Sequence, residues 1–72
     1  MNLITIQELN DNTVARSLLA YEDGNSAMSA FYSTMASSVA SDKVLKATCI
    51  IMTDEGLIIR TEHWEREEEI ND

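Results

Sequence analysis

Two apolar runs near the end of the chain flank a short polar segment, a pattern typical of a β-hairpin. The runs occupy residues 47–52 and 57–60 and are rich in isoleucine. In the polar segment between them, Gly56 can adopt the positive φ that such a turn often requires, and Asp54 can bond to nearby backbone amides. The pattern therefore predicts two antiparallel strands joined by a tight turn.

A weaker alternation of apolar and polar residues precedes it, over residues 3–9, with Ile4 and Ile6 on one face. The cluster of Asn, Asp and Thr at 10–13 predicts a tight reversal, because Asn and Asp tolerate left-handed backbone. Residues 14–21 then read as a returning strand, or as a short helix because they include two Ala and two Leu. The reversal favours the strand, since the first strand would otherwise need a distant partner.

Between the two hairpins, apolar residues recur at spacings of three and four over residues 26–40, which predicts an amphipathic helix. The expected buried stripe consists of Met28, Phe31, Tyr32, Met35, Ala36 and Val39. Serines such as Ser38 are expected on the opposite face. Three residues ahead of the helix are candidates for its N-cap, namely Asp23, Asn25 and Ser26.

The predicted order of elements is strand, strand, helix, strand, strand, which is an α+β fold. Its most economical form is a four-stranded antiparallel sheet made of two hairpins, with the helix on one face. We expect a single domain over residues 1–64, followed by an acidic C-terminal tail over residues 65–72.

One face of such a sheet is not covered by the helix. A helix of about fifteen residues is roughly 22 Å long and covers one side only. The other side still carries apolar residues, notably Ile50, Met52 and Ile58, whereas a sheet open to water usually has a cleaner polar face. We therefore predict a homo-oligomer, with a dimer favoured, that buries these three residues. Coverage by the C-terminal segment and pairing of sheet edges are the alternatives.

Charge is distributed unevenly along the chain. The net charge is −8, from 13 acidic and 5 basic residues. Residues 62–72 contain six acids and one base, which gives −5, and the remaining −3 belongs to residues 1–61. This balance disfavours direct binding to nucleic acid or to an anionic membrane, because both present phosphates. A candidate protein-binding surface at this end comprises Trp64, Glu62, Glu65, Glu67, Glu68 and Glu69.

The residues that carry chemistry are isolated. His63 is the single histidine, and Cys49 lies within an apolar strand, where a thiol is expected to be buried and unreactive. Pairs of glutamates lack the His or the Gly-containing loop that a metal or acid–base site needs. We therefore predict no catalytic residue, no metal, no cofactor and no enzymatic activity.

Few features of the sequence indicate the cellular compartment of the protein. The chain has one cysteine and so no internal disulfide, which suits a reducing environment. Its apolar runs are too short for a bilayer, and its start lacks the pattern of a signal peptide. The cytoplasm of the cell that makes the protein is the expected location.

A small anionic molecule is a further candidate ligand. Lys46 and Arg60 are expected on one side of the second hairpin, provided that its register is symmetric. Together with Trp64, which we expect on the same face as Ile58 and Arg60, they form a candidate site for a signalling nucleotide held between protomers.

Three segments carry a family resemblance: 21–23 (Tyr-Glu-Asp), 30–33 (Ala-Phe-Tyr-Ser) and 55–64, which begins Glu-Gly-Leu-Ile and ends Glu-His-Trp. In this arrangement the chain resembles a group of small uncharacterised phage and prophage proteins. There, an aromatic–Asp step precedes a helix and a hairpin ends near Glu-x-Trp. The likeness spans about residues 14–64, and Ser33 stands where His is frequent in the group.

This resemblance implies a phage setting without implying a mechanism. We therefore expect a non-enzymatic, oligomeric binding or accessory protein of phage or mobile-element origin that acts by occupying a partner. The alternatives are an anti-defence inhibitor whose acidic surface mimics nucleic acid, and a nucleotide sponge.

Overall fold

Four antiparallel strands and one helix follow one another in the predicted order in the computed structural model, which describes residues 1–67. The elements are β1 (Asn2–Leu9), β2 (Val14–Ala20), α1 (Gly24–Ala40), β3 (Val44–Met52) and β4 (Ile58–Glu65). The strands form one sheet in the order β2-β1-β3-β4, with α1 on one face. The predicted α+β class is confirmed, as is the strand at residues 14–21, for which a helix was the alternative.

The first hairpin is regular. Strands β1 and β2 pair without any register shift, from Asn2 opposite Ala20 to Glu8 opposite Val14. Their turn contains Asn12 at a φ of 69°, the left-handed conformation that Asn tolerates. The Asp11 carboxylate accepts a bond from the Thr13 amide at 3.0 Å and another from its hydroxyl. The hydroxyl bond first and the amide bond second lower the pKa of Asp11.

The second hairpin turns as predicted at Gly56, whose φ is 96° and whose N–H donates to the Thr53 carbonyl at 3.0 Å. Asp54 was expected to bond to backbone amides within this turn, and that expectation is wrong. Its carboxylate accepts instead from the Met1 ammonium group at 3.2 Å and from the Asn2 side chain at 3.1 Å. The antiparallel pairing of β1 with β3 brings these distant residues together.

Helix α1 begins at Gly24 and is capped by Asp23, one of the three predicted candidates. The Asp23 carboxylate accepts a bond from the backbone N–H of Ser26 at 2.7 Å. This bond satisfies an amide that the first helical turn leaves without a partner, and it lowers the pKa of Asp23.

The face that α1 buries agrees with the predicted stripe in part, since Phe31 is in the core and Met28 and Met35 pack against it. Ala27, Phe31 and Ser38 are the helical residues that are buried, whereas Tyr32 and Val39 are 52% and 47% exposed. The helix is therefore rotated towards its small residues. Ala27, which is completely buried, faces the central strands.

Ser38 was expected to face solvent, and its burial depends on two hydrogen bonds. Its hydroxyl donates to the Thr34 carbonyl and accepts from the Gln7 side chain, each at 2.8 Å. A buried hydroxyl without partners would cost free energy, and these bonds offset that cost. Gln7 belongs to β1, so the local helical pattern contains no signal for this contact.

The core lies between α1 and the two central strands, β1 and β3. It is a cluster of Leu3, Ala27, Phe31, Cys49 and Ile51, all at most 1% exposed. The Cys49 thiol is free and buried as predicted, and burial raises its pKa. By contrast, all seven residues of the edge strand β2 are exposed.

A register shift interrupts the pairing of β3 with β4. Met52 pairs with Ile58 and Ile51 pairs with Arg60, so Ile59 is an extra residue in β4, as in a β-bulge. Ile58, Arg60 and Trp64 were expected on one face. The bulge makes this wrong, because Ile58 follows Met52 onto the side away from the helix, whereas Arg60 follows Ile51 towards it.

Candidate partner-binding surfaces

The side of the sheet that faces away from α1, called the open face below, is composed of four rows of side chains. The register defines these rows, since residues opposite one another on neighbouring strands share a face. The first row is Ala20, Asn2, Met52 and Ile58, and the second is Leu18, Ile4, Ile50 and Thr61. The third row is Arg16, Ile6, Thr48 and His63, and the fourth is Val14, Glu8, Lys46 and Glu65.

The first two rows contain an apolar patch, which we define as Ile4, Leu18, Ile50, Met52 and Ile58. Leu18 and Ile58 are each 61% exposed, and the other three are half-buried. The residues predicted for an oligomer interface, Ile50, Met52 and Ile58, are thus brought together on one uncovered surface. Their placement agrees with the predicted surplus of apolar area, whereas an interface there stays a prediction.

At the charged end of the open face, the polar side chains contact one another. Lys46 Nζ lies 3.7 Å from a Glu8 carboxylate oxygen and 3.6 Å from one of Glu65. His63 Nδ1 is 2.7 Å from the Thr48 hydroxyl, and its Nε2 is 3.1 Å from Glu65 Oε1. The hydrogen bond from His63, and then the positive charge of Lys46, lower the pKa of Glu65.

On the opposite side of the sheet, Arg60 connects β4 to the helix. Its guanidinium carbon is 5.6 Å from the ring centroid of Phe31 and 5.4 Å from that of Tyr32. These distances are within the range of cation–π attraction. Arg60 Nη2 also lies 3.7 Å from a carboxylate oxygen of Glu62. The guanidinium is therefore held by two rings and one carboxylate.

Arg66 closes the C-terminal end of the helix. Its Nε donates to the Val44 carbonyl at 3.1 Å, and its Nη2 donates to the carbonyls of Val39 (3.3 Å) and Ser41. The guanidinium carbon is also 4.9 Å from the ring centroid of Trp64. Helix α1 has no basic residue in its last turn. Arg66 thus supplies the positive charge that favours a helix C-terminus.

Sequence reasoning missed this role, because Arg66 was assigned to the acidic tail. In the structure, Glu65 is the last residue of β4, and the Arg66 amide donates to the Leu45 carbonyl at 2.8 Å. The sheet and its contacts therefore extend beyond residue 64. The sequence signal for this role is that Arg66 is a single base within a run of acids.

The predicted acidic surface is divided among different parts of the molecule. Trp64 and Glu62 are on the helix side of the sheet, and Glu65 is on the open face. Glu67 is exposed beyond the end of β4, whereas Glu68 and Glu69 lie outside the described residues. The described members therefore do not share one face, and two of them are already close to cations.

The residues proposed for nucleotide binding are also separated. Lys46 is on the open face, whereas Arg60 and Trp64 are on the helix side, because the bulge reverses the expected facing of Arg60. A shallow depression of about 280 Å³ lies beside Lys46, lined by Glu8, Leu9, Asn12, Leu45 and Lys46. Glu8 makes this depression unfavourable for a phosphate.

Residues 1–67 contain neither a cluster of metal ligands nor a membrane-spanning helix. No group of three or more His, Cys, Asp and Glu side chains is placed there to hold a metal ion. None of the helices found in that range has the length and apolar character needed to cross a membrane.

Comparison of the chain with protein-family models, with curated protein sequences and with solved structures gave no match. The resemblance to phage and prophage proteins therefore stays a prediction.

Proposed function

We propose that this chain is a non-enzymatic, oligomeric binding protein of phage or mobile-element origin that works in the host cytoplasm by occupying a partner protein. The open face is its recognition surface. The observation that carries this proposal is the apolar patch, which the helix leaves uncovered next to an internally paired charged row.

The patch favours an interaction because its exposure is costly for a protein of this size. Complete burial of a Leu or Ile side chain contributes about 1.5–3 kcal/mol relative to full exposure. Leu18 and Ile58 retain most of their exposed area, so covering them removes a substantial apolar surface from water. Contiguous exposed apolar patches with polar margins are characteristic of protein interaction sites.

The shape and charge of this face indicate the kind of partner. A sheet face is broad and flat, which suits another protein surface better than a small ligand that requires a concave site. Lys46 lies near both Glu8 and Glu65, so the three side chains carry a net charge of −1, which does not attract a phosphate backbone. We infer a partner with an apolar surface, bound in a way that salt affects little.

The two alternative functions have less support. Mimicry of nucleic acid calls for acids arrayed on one face, whereas Glu62 and Glu65 lie on opposite sides and each is close to a cation. A nucleotide sponge requires Lys46 and Arg60 to converge, and within a protomer they are on opposite sides of the sheet.

The proposal is tested by capture from bacterial lysate with matched variants. Ile58→Lys places a charge in the apolar patch. Leu57→Lys is the control, because Leu57 is 65% exposed, has a similar side chain and lies in the turn outside the patch. We expect one partner to be retained at high salt by the wild type and by Leu57→Lys, and to be lost with Ile58→Lys.

Two outcomes contradict this expectation. Equal capture by both variants would remove the open face as the binding surface. A partner that is released by high salt while insensitive to Ile58→Lys would favour mimicry through the acids instead, since exposed charge contacts are screened.

A further inference from the structure

The edge strand β2 is accessible along its entire length. All seven of its residues are exposed, and α1 packs over β1 and β3 instead. Leu18 and Leu19, which point to opposite faces of the sheet, are 61% and 53% exposed. The strand therefore presents both of its faces and its outer edge to solvent.

The backbone groups at this edge can be identified from the hydrogen bonds at the two ends of the hairpin. The Tyr21 amide donates to the Met1 carbonyl at 2.7 Å, and the Leu9 amide donates to the Thr13 carbonyl at 2.9 Å. Residues 13 and 21 therefore direct their backbone groups towards β1. Because this direction alternates along an antiparallel strand, the outward-directed residues of β2 are Val14, Arg16, Leu18 and Ala20.

β2 also lacks the features that usually block an exposed edge. It contains no proline and no lysine, and its pairing with β1 has no bulge. Arg16 is its one charged residue. A regular, accessible and mainly apolar edge is a template for pairing with another strand.

We propose that β2 pairs antiparallel with β2 of a second copy of this chain, which joins the two sheets into one of eight strands. This inference rests on the oligomeric binding protein proposed above and names the surface through which the copies assemble. A two-fold axis at Ser17 places Val14 opposite Ala20 of the partner subunit and Arg16 opposite Leu18 of the partner subunit. All four outward-directed residues then find a hydrogen-bonding partner.

Charge favours the register with the axis at Ser17 over the register with the axis at Arg16. A shift of the axis to Arg16 would place that residue opposite Arg16 of the partner subunit, and directly opposed like charges destabilise a strand pair. With the axis at Ser17, each Arg16 faces a leucine. Its aliphatic stem can then cover the Leu18 side chain of the partner subunit.

Charge also favours a second copy as the occupant of this edge. Each copy carries a net charge of −8, so two copies approach most easily where acids are fewest. β2 has one base and no acid, whereas Glu62 and Glu65 are on β4, the opposite edge of the sheet. Pairing through β2 leaves the acidic edges at the two outer ends of the assembly.

The central test is sedimentation velocity over a concentration series, with proline variants at the two edges. Leu18→Pro removes an outward-directed amide from β2, and proline is tolerated where the N–H faces solvent. Because the axis duplicates the change, two intermolecular bonds are lost, and we expect dimerisation to weaken at least about tenfold. Thr61→Pro removes an outward-directed amide of β4 and should leave the dimer unchanged.

Leu18→Ala separates the backbone from the side chain. It keeps the amide, so it should weaken the dimer less than Leu18→Pro. An equal loss with both variants would overturn strand pairing and would favour association through the apolar patch. Circular dichroism of each variant is the control for retention of the fold.

Amide hydrogen exchange in the unmodified chain provides a second readout. Raising the protein concentration should slow exchange at Arg16 and Leu18, while Thr61 and His63 stay unchanged. A chain that is still monomeric at about 1 mM would overturn the proposal. An unmodified chain that forms no dimer but is captured through Ile58 would overturn edge pairing and leave the open face as the binding surface. A dimer without Ile58-dependent capture would overturn the proposed recognition surface and leave edge pairing intact.

Discussion

The two edge strands of the sheet, β2 and β4, have similar lengths and differ in the residues that protect them. β4 carries Arg60, Glu62, His63 and Glu65, and a bulge at Ile59 interrupts its regularity. β2 has Arg16 as its single charge and is regular throughout. Charged side chains and bulges are the usual means by which proteins prevent edges from pairing.

This difference between β2 and β4 indicates which edge of the sheet is available for association. At β4, the charges also serve the fold, since Arg60 contacts the helix rings and Glu65 contacts Lys46. At β2, no side chain ties the strand to the helix in a comparable way within the described residues. One edge is therefore integrated with the body of the protein, and the other is available.

The largest expected effect comes from comparing a buried helical residue that contacts β4 with an exposed residue of β2. Phe31→Ala removes a fully buried ring that also contacts Arg60, and it should lower the free energy of unfolding by about 3–5 kcal/mol. Leu18→Ala should change it by less than about 0.5 kcal/mol. Urea denaturation at low protein concentration measures both. A large loss for Leu18→Ala in the monomer would contradict the exposed position of β2.

A second test concerns the attachment of β4 to the end of the helix. Arg66→Ala removes charge-assisted bonds to the carbonyls of Val39, Val44 and Ser41, and should cost about 1–3 kcal/mol. Arg66→Lys retains the charge without the planar fork and should recover only part of this stability. Thermal and urea unfolding provide the measurement, and an unchanged midpoint for Arg66→Ala would refute the capping role.

A third test removes the protection of β4. Replacing Glu62, His63 and Glu65 together by threonine leaves a strand of high β-propensity with fewer charges. We expect self-association through this edge to strengthen about tenfold, giving species larger than a dimer in sedimentation. The same triple change combined with Leu18→Pro should stop at dimers. Unaltered association of the triple variant would show that the charges do not guard this edge.

The smallest expected effect is a pH dependence at β4. The pKa of Glu65 is lowered in the folded protein, first by the His63 bond and then by Lys46, so its ionised form is favoured by folding. This contribution is present above the ordinary pKa of glutamate and is lost as pH falls through the lowered value. Glu65→Gln should therefore melt slightly below the wild type at pH 7, and the two melting temperatures should converge in acid. A constant difference would contradict the pairing.

Much of the fold could be predicted from local signals. Alternation and the turn at Gly56 depend on residues close together in sequence, and both predictions were confirmed. The helix cap is Asp23, one of the three candidates that the sequence offered. The bulge at Ile59 could not be predicted, because the isoleucine run contains no glycine or other local mark of an extra residue. Without the bulge, Arg60 was predicted on the wrong face of the sheet.

The remaining misses share one cause, which is contact between residues far apart in sequence. Ser38 is buried because Gln7 reaches it from β1, and Arg66 caps a helix that ends at Ala40. Neither partner can be identified from one sequence. The candidate surface was predicted better, since the residues of the apolar patch on β3 and β4 follow from alternation and from the single covering helix.

The contact between the Met1 ammonium group and Asp54 has a practical consequence for every experiment above. The ammonium group also donates to the Tyr21 carbonyl at 3.2 Å, so it joins the first hairpin to the turn of the second. Acetylation or an affinity handle fused ahead of Met1 would replace this cation with a neutral amide. Purification handles are therefore best attached at the other terminus, where they leave this junction intact.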